Sequence, residues 1–324
     1  MLSPEDNRPA RWRGLDAELA EIDAAGLRRA MRLAPRAGGC LPQPEGAVLN
    51  FSSNDYLDLA NDPALAQAAA RAAATQGSGA GASRLMAGHL PAHETLETQL
   101  AEWTGQAAAL VFPSGYQANV GVLGALAGRD DVIFSDALNH ASIIDGARLS
   151  RAAIHVYRHG DTAQLETLLA RCDARRRIIV TDALFSMDGD AAPLRELRAL
   201  ADRFDAFLLV DEAHALGVYG EGRGLCAEAG ILPDVTIGTM SKALGSGGGF
   251  IATAAPLRAL VLNRARSFIY TTGLSPMCAA AASAALARIA EQPELGAALL
   301  ARAAHLRAAL AAAGVPTLPG DSQI

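Results

Sequence analysis

The chain reads as an α/β fold, a mostly parallel seven-stranded sheet covered by helices. Short apolar runs alternate with helical patterns through the middle of the sequence, which is how a parallel sheet with crossover helices is written. The apolar runs are closed by polar residues, and a parallel sheet holds its ligands outside the carboxyl ends of its strands. Fold and site are therefore sought together.

Taken in order, residues 1–47 form an N-terminal arm, with an amphipathic helix expected from about Leu15 to Leu33 and ended by Pro35 and the Gly38-Gly39 pair. A large domain follows over residues 48–285. Its strands are expected at Ala108–Phe112, Val132–Ser135, Ala153–Tyr157, Arg177–Asp182, Phe207–Asp211, Val235–Thr239 and Phe250–Thr253. Helices are expected near Tyr116–Ala127, Ala141–Leu149, Thr162–Ala170 and Leu194–Phe204. Beyond Pro276 the chain turns helical and alanine-rich, through Ala279–Ile289 and Leu295–Ala313, because alanine is the best helix former. Residues 286–324 are expected to begin a smaller C-terminal domain, with a strand starting at Val315.

At 324 residues and 51% hydrophobic, the chain can bury the core of an enzyme-sized globular protein. The net charge of −6 argues against nucleic acid as a partner. Cys40, Cys172, Cys226 and Cys278 are scattered without a paired motif, which fits reduced thiols and neither a disulfide frame nor a zinc site. The N-terminus lacks an apolar signal core, and no uninterrupted apolar stretch is long enough for a membrane span. A cytoplasmic location is expected. Two tempting patterns are declined. Gly77-Ser78-Gly79-Ala80-Gly81 follows a helical stretch instead of a strand, so it reads as a flexible loop near the active site and not as a dinucleotide motif. His89 and His93 have Pro91 between them, which breaks the helix that would align two metal ligands; no metal is expected.

The chemistry-bearing residues close the apolar runs in order. Phe112 leads into Pro113-Ser114-Gly115-Tyr116, whose glycine and helix start can present backbone N–H groups to a phosphate. Ser135-Asp136 leads to His140, Leu184-Phe185 to Ser186, and Val210 to Asp211 and His214. Lys242 lies in Thr239-Met240-Ser241-Lys242-Ala243-Leu244-Gly245, between hydroxyls and glycines. Each residue alone has an ordinary structural explanation. Their joint order points to pyridoxal 5'-phosphate. That cofactor's ring must be a protonated pyridinium to accept electrons, so a buried carboxylate such as Asp211 should face its nitrogen. His214 can reach the phenolic oxygen, and His140 can lie on the ring face. Lys242 must be neutral at some point, both to bind an aldehyde and to act as a base, and burial lowers a lysine pKa. Thr239 and Ser241 offer hydroxyls to the cofactor phosphate.

On these residues the chain resembles the α-oxoamine synthases, a branch of the fold-type-I pyridoxal-phosphate enzymes. The resemblance rests on Asn50-Phe51-Ser52-Ser53-Asn54-Asp55-Tyr56-Leu57, Gly77 to Arg84, Phe185-Ser186-Met187-Asp188-Gly189-Asp190, Val210 to His214 and the lysine segment. It implies Lys242 as the lysine bonded to the cofactor, Asp211 at the pyridinium nitrogen, His214 at the phenolic oxygen and His140 stacked on the ring. It also implies cofactor contacts from Gly115, Tyr116, Ser186 and Thr239, and substrate contacts from Arg28 and Asn54. Thr271 and Thr272 match a segment that reaches the partner subunit's phosphate, which implies a homodimer with shared sites. The implied reaction joins L-alanine to a pimeloyl thioester, carried on coenzyme A or an acyl carrier protein, with loss of carbon dioxide, in biotin synthesis. Glycine with an acetyl thioester, serine with a long acyl chain, and a non-catalytic subunit of the same fold remain open. Two departures are evident: the family continues beyond the position of Ile324, and Asp58 stands where the family has glycine.

Overall fold

The computed structural model describes residues 9–31, 33, 40–43 and 46–324. The chain falls into two compact units, Met1–Ser53 and Asn54–Ile324.

In the first unit, α1 spans Ala10–Ala24. It stops well short of Leu33 because Gly26 turns left-handed at φ 67°, and its N–H and that of Leu27 return to Asp23 and Ile22 carbonyls. The expected stops at Pro35, Gly38 and Gly39 lie outside the described residues. A hairpin of β1 (Cys40–Gln43) and β2 (Gly46–Leu49) follows, which the sequence did not suggest.

In the second unit, α2 (Pro63–Gln76) and α3 (Pro91–Thr104) precede the sheet strands. These are β3 (Ala108–Phe112), β4 (Asp131–Asp136), β5 (Ala153–Tyr157), β6 (Arg176–Asp182), β7 (Ala206–Asp211), β8 (Val235–Thr239) and β9 (Gly249–Thr253). All seven were expected, each within a residue at either end. Their order across the sheet is β3-β9-β8-β7-β6-β4-β5. Every neighbouring pair is parallel except those of β9, which runs antiparallel to both β3 and β8.

Alternate strand residues feed opposite faces, as the two-residue side-chain period requires. On one face Phe112, Ile133, Val180, Leu209 and Ile237 pack against α4 (Gly115–Leu126) and α5 (Ala141–Ser150) through Val122, Leu123 and Ile143. On the other, Phe134, Ile179, Leu208 and Val210 meet α6 (Thr162–Ala170) and α7 (Leu194–Arg203). A third cluster joins Val111, Phe250 and Ala252 to Leu96 and Leu100 of α3. Short helices α8 (Leu225–Ala229), α9 (Ala255–Arg264) and α10 (Arg266–Ile269) lead to the long α11 (Pro276–Glu291) and α12 (Leu295–Ala312).

One expectation is corrected. No strand begins at Val315; residues 315–324 are irregular, and the segment is tied down by Arg307, which donates to the Ile324 carbonyl at 2.6 Å. The glycine-rich stretch from Gly77 is a loop, met by Ser275, which donates to the Ser78 carbonyl at 2.8 Å, and by Gly273, which donates to that of Ala82 at 3.0 Å. The expected lack of an uninterrupted apolar span is not contradicted by helix α12, although it has the length and mean hydropathy of one, at 18 residues and 1.3. It carries Arg302 and Arg307, however, each costing about 2.5–3.5 kcal/mol at a bilayer centre.

Candidate active site

The carboxyl ends of four strands and the starts of two helices enclose one cleft of about 220 Å³. Gly115, Tyr116, His140, Ser186, Asp211, His214, Thr239, Ser241 and Lys242 all line it. Nine residues singled out along 128 positions of sequence are thus brought together. Asn54 does not line the cleft; its side-chain oxygen is 3.5 Å from the Tyr56 hydroxyl. Thr271 and Thr272 sit on the loop between α10 and α11 and do not line the cleft. Arg28 belongs to the first unit, where it pairs with Asp23 at 2.9 Å.

The floor is set by strand register. Asp182 and Asp211 end neighbouring parallel strands in paired positions, and both are buried. Asp211 accepts from the Asn119 side-chain amide at 2.6 Å and from the Ala213 N–H at 2.9 Å. Asp182 has one N–H donor at the cleft, the backbone of His140 at 2.7 Å. Burial, reinforced by Asp211, holds its carboxyl well above the usual range.

His140 caps α5, its Nδ1 accepting from the Ser142 N–H at 3.2 Å and meeting the Ser142 hydroxyl at 2.7 Å. Asn119 lies one helical turn beyond Gly115 and bridges Asp211 to Ser142, so α4 and α5 are joined through the site. At the opposite end Ser114 caps α4, and the Thr239 and Ser241 hydroxyls stand 2.8 Å apart. A Cβ on Gly115 would lie 3.2 Å from that of Thr239, so glycine keeps the helix N-terminus and the hydroxyls open to a common anion.

Lys242 follows β8 in a loop closed on itself. Met240 N–H bonds the Gly248 carbonyl, and Gly245 N–H bonds that of Lys242 at 2.8 Å. Gly245 takes φ 59°, and a Cβ there would stand 2.3 Å from the Ala60 nitrogen, so only glycine fits. The Lys242 Nζ is 2.5 Å from His214 Nε2. Burial lowers the lysine pKa, against the opposing pull of Asp211 and Asp182. Burial, then Lys242 and His140, pushes His214 down to about 3, so the imidazole is neutral.

Every feature suits pyridoxal phosphate: an amine for its aldehyde, a carboxylate for its ring nitrogen, and a hydroxyl-lined helix start for its phosphate. The buried Asn119 Oδ1 has no hydrogen-bond partner among the described residues. Asn119, Ser142 and Asp182 were not singled out from sequence, although Asp182 ends its strand as Asp211 ends the next. Asp58, at the position of the family's glycine, adopts the left-handed conformation at φ 54° and accepts from the Asn61 amide at 2.5 Å. Neither His89 nor His93 binds metal with a third ligand among the described residues; His93 is buried and bonds the Leu274 carbonyl at 2.7 Å.

The profile of the aminotransferase class I and II family matches residues 47–324. An 8-amino-7-oxononanoate synthase from Anaeromyxobacter sp. (strain K) is 53% identical over 94% of this chain and 77% of its own length. One from Aromatoleum aromaticum is 47% identical over 96% and 81%. Among solved structures, a serine palmitoyltransferase of S. paucimobilis with a bound pyridoxal-phosphate–myriocin adduct superposes with a TM-score of 0.86 at 30% identity, covering 94% of this chain and 81% of that one. The 8-amino-7-oxononanoate synthase of Francisella tularensis gives 0.71 at 28% identity, covering 83% and 77%. The chain belongs to the aminotransferase class I and II family and, within it, to the pyridoxal-phosphate-dependent α-oxoamine synthases.

Proposed function

We propose that the protein is the acyltransferase that condenses L-alanine with a pimeloyl thioester to give 8-amino-7-oxononanoate, carbon dioxide and free thiol in biotin synthesis. The observation that carries this is the buried Lys242 amine, its pKa lowered by burial, in one cleft with Asp211, in a chain about half identical to synthases of that name.

Bound pyridoxal phosphate supplies an aldehyde for amines and a ring that accepts electrons from the α-carbon. Asp211, fixed by Asn119 and the Ala213 N–H, would face the ring nitrogen. Gly115, Thr239 and Ser241 would hold the phosphate, with His140 at one face of the ring and Ser186 at its edge, all of them lining the cleft. Lys242, whose pKa burial lowers, would hold the aldehyde and offers Nζ as the base for the α-proton of alanine. In the overall change the alanine α-carbon bonds the thioester carbonyl carbon and the C–S bond breaks. The alanine carboxylate leaves as carbon dioxide, and a proton returns to the α-carbon.

Arg28 and Asn54 are assigned to the substrates, and the assembly to a cytoplasmic homodimer. The placement of Thr271 and Thr272 outside this cleft supports their reaching a partner's site. The acyl carrier is coenzyme A or an acyl carrier protein. The test is product formation from alanine and pimeloyl-coenzyme A with the loaded enzyme, set beside glycine with acetyl-coenzyme A and serine with palmitoyl-coenzyme A. Lys242→Ala should abolish turnover and the borohydride-trappable bond. Turnover with both intact in that variant, or preference for glycine or serine, would overturn the reading.

A further inference from the structure

Tyr56 has no part in the chemistry above, yet its hydroxyl is 2.7 Å from His214 Nδ1, while His214 Nε2 is 2.5 Å from Lys242 Nζ. The three groups form a line that ends on the reactive amine. A neutral imidazole carries a single N–H, so the position of one proton decides which way that line runs. With the proton on Nδ1, the nitrogen facing the cleft can only accept. With the proton on Nε2, it can donate to an oxygen in the cleft or to the lone pair of a neutral lysine.

The phenolic oxygen of the cofactor is an acceptor, so the site needs the second form. Selecting it takes a donor at Nδ1, and Tyr56 is placed to be that donor. Its proton has two acceptors within reach, His214 Nδ1 at 2.7 Å and the Asn54 oxygen at 3.5 Å, and the short contact is the bond. Burial pushes the phenol up to about 12, against a smaller opposite pull from a hydrogen bond with Gln323, so it keeps its proton. Gln323 also donates to the His214 carbonyl at 2.8 Å, which fixes the histidine from its backbone side.

We propose that Tyr56 is a positioning residue that donates to His214 Nδ1, locks the Nε2–H tautomer, and so makes His214 a hydrogen-bond donor toward the cleft. The proposal rests on the functional reading for the identity of the acceptor, and for the tautomer on the Tyr56–His214–Lys242 geometry together with the neutral imidazole. It gives the Asp-Tyr-Leu stretch ahead of the sheet a role at the reactive centre, reached across 158 positions of sequence.

The test is Tyr56→Phe, which keeps the ring and removes only the hydroxyl. Nitrogen NMR of the full chain labelled at histidine, with the His214 signal assigned by its loss in His214→Asn, reads the tautomer before any cofactor is added. Wild type should show Nε2–H, and Tyr56→Phe should populate Nδ1–H. After loading with pyridoxal phosphate, the variant should lose roughly tenfold in kcat with little change in the KM for alanine, the scale of one hydrogen bond felt at the reacting group. The pH midpoint of its visible absorbance should move as well. A wild-type His214 with Nδ1–H, or a tautomer unchanged in Tyr56→Phe, would overturn the proposal even if the enzyme is active. An inactive wild type would count against the function, while the cofactor-free spectra would still decide the role of Tyr56.

Discussion

Two histidines near the same edge of the sheet live in opposite surroundings. His214 is buried between Tyr56 and Lys242, with a cation-forming group at its open nitrogen, and is held neutral. His159 lies between β5 and α6, its Nδ1 2.9 Å from Asp136 and its Nε2 2.6 Å from Asp190, with its ring edge on Phe185. Burial pulls its pKa down, but the two carboxylates outweigh it and the net shift is upward. The strands that supply these carboxylates are near neighbours, and both Asp136 and Asp211 end a buried run. Asp136 spends its charge on a histidine that pins the segment carrying Ser186; Asp211 leaves its charge facing a cleft. A strand-end aspartate is therefore structural or catalytic according to what neutralises it.

The sharpest way to break this contrast is Asp211→Asn. It keeps the shape and removes the charge, and should lower kcat by about 10²–10³-fold, the usual scale for losing one preorganised electrostatic group. A near-normal rate in a steady-state assay would remove Asp211 from the chemistry.

His159→Gln should instead act on stability. A histidine whose folded pKa is raised adds stability that is fully present below its unfolded value near 6.5 and fades as pH rises through the folded one. Thermal unfolding of the variant should thus fall below wild type by about 1 kcal/mol under mildly acidic conditions, given partial exposure of the pair, and the gap should narrow above neutrality. A gap that widens with pH would mean that the bridge is not ionic.

The smallest effect belongs to Arg158→Ala, one residue away. Arg158 pairs with Asp161 at 2.5 Å, but its side chain is 75% exposed and water competes for the ion pair. The melting temperature should not move measurably, and any clear drop would show that the whole turn, rather than the His159 bridge, holds this edge.

Much of this was legible in the sequence, for identifiable reasons. The seven strands stand out because a sheet covered on both faces must be apolar along its whole length, as in Ile178-Ile179-Val180 and Leu208-Leu209-Val210. The reversed direction of β9 is not written in Phe250–Thr253, since local propensity carries no sense of direction. The β1–β2 hairpin was missed because Gly46–Leu49 is exposed and leaves no burial pattern. The strand expected at Val315 needed a partner edge, and the irregular segment there has none among the described residues. At the site, Lys242 and Asp211 announced themselves by their neighbours in sequence. Tyr56 could not, because its partner lies far along the chain.

The direction of β9 has one further effect. Because β9 returns antiparallel beside β8, Thr239 and Gly249 stand in register as the two feet of the loop that carries Lys242. Both feet belong to the middle of the sheet, and Met240 is bonded to Gly248 just above them. The cost of ordering that loop is met once, when the protein folds, and not again in each catalytic cycle. When Lys242 changes between bonded and free, only its own side-chain torsions have to move. The search for the attacking geometry is confined to a few rotamers about a fixed backbone, which is the preorganisation a rapidly cycling amine requires.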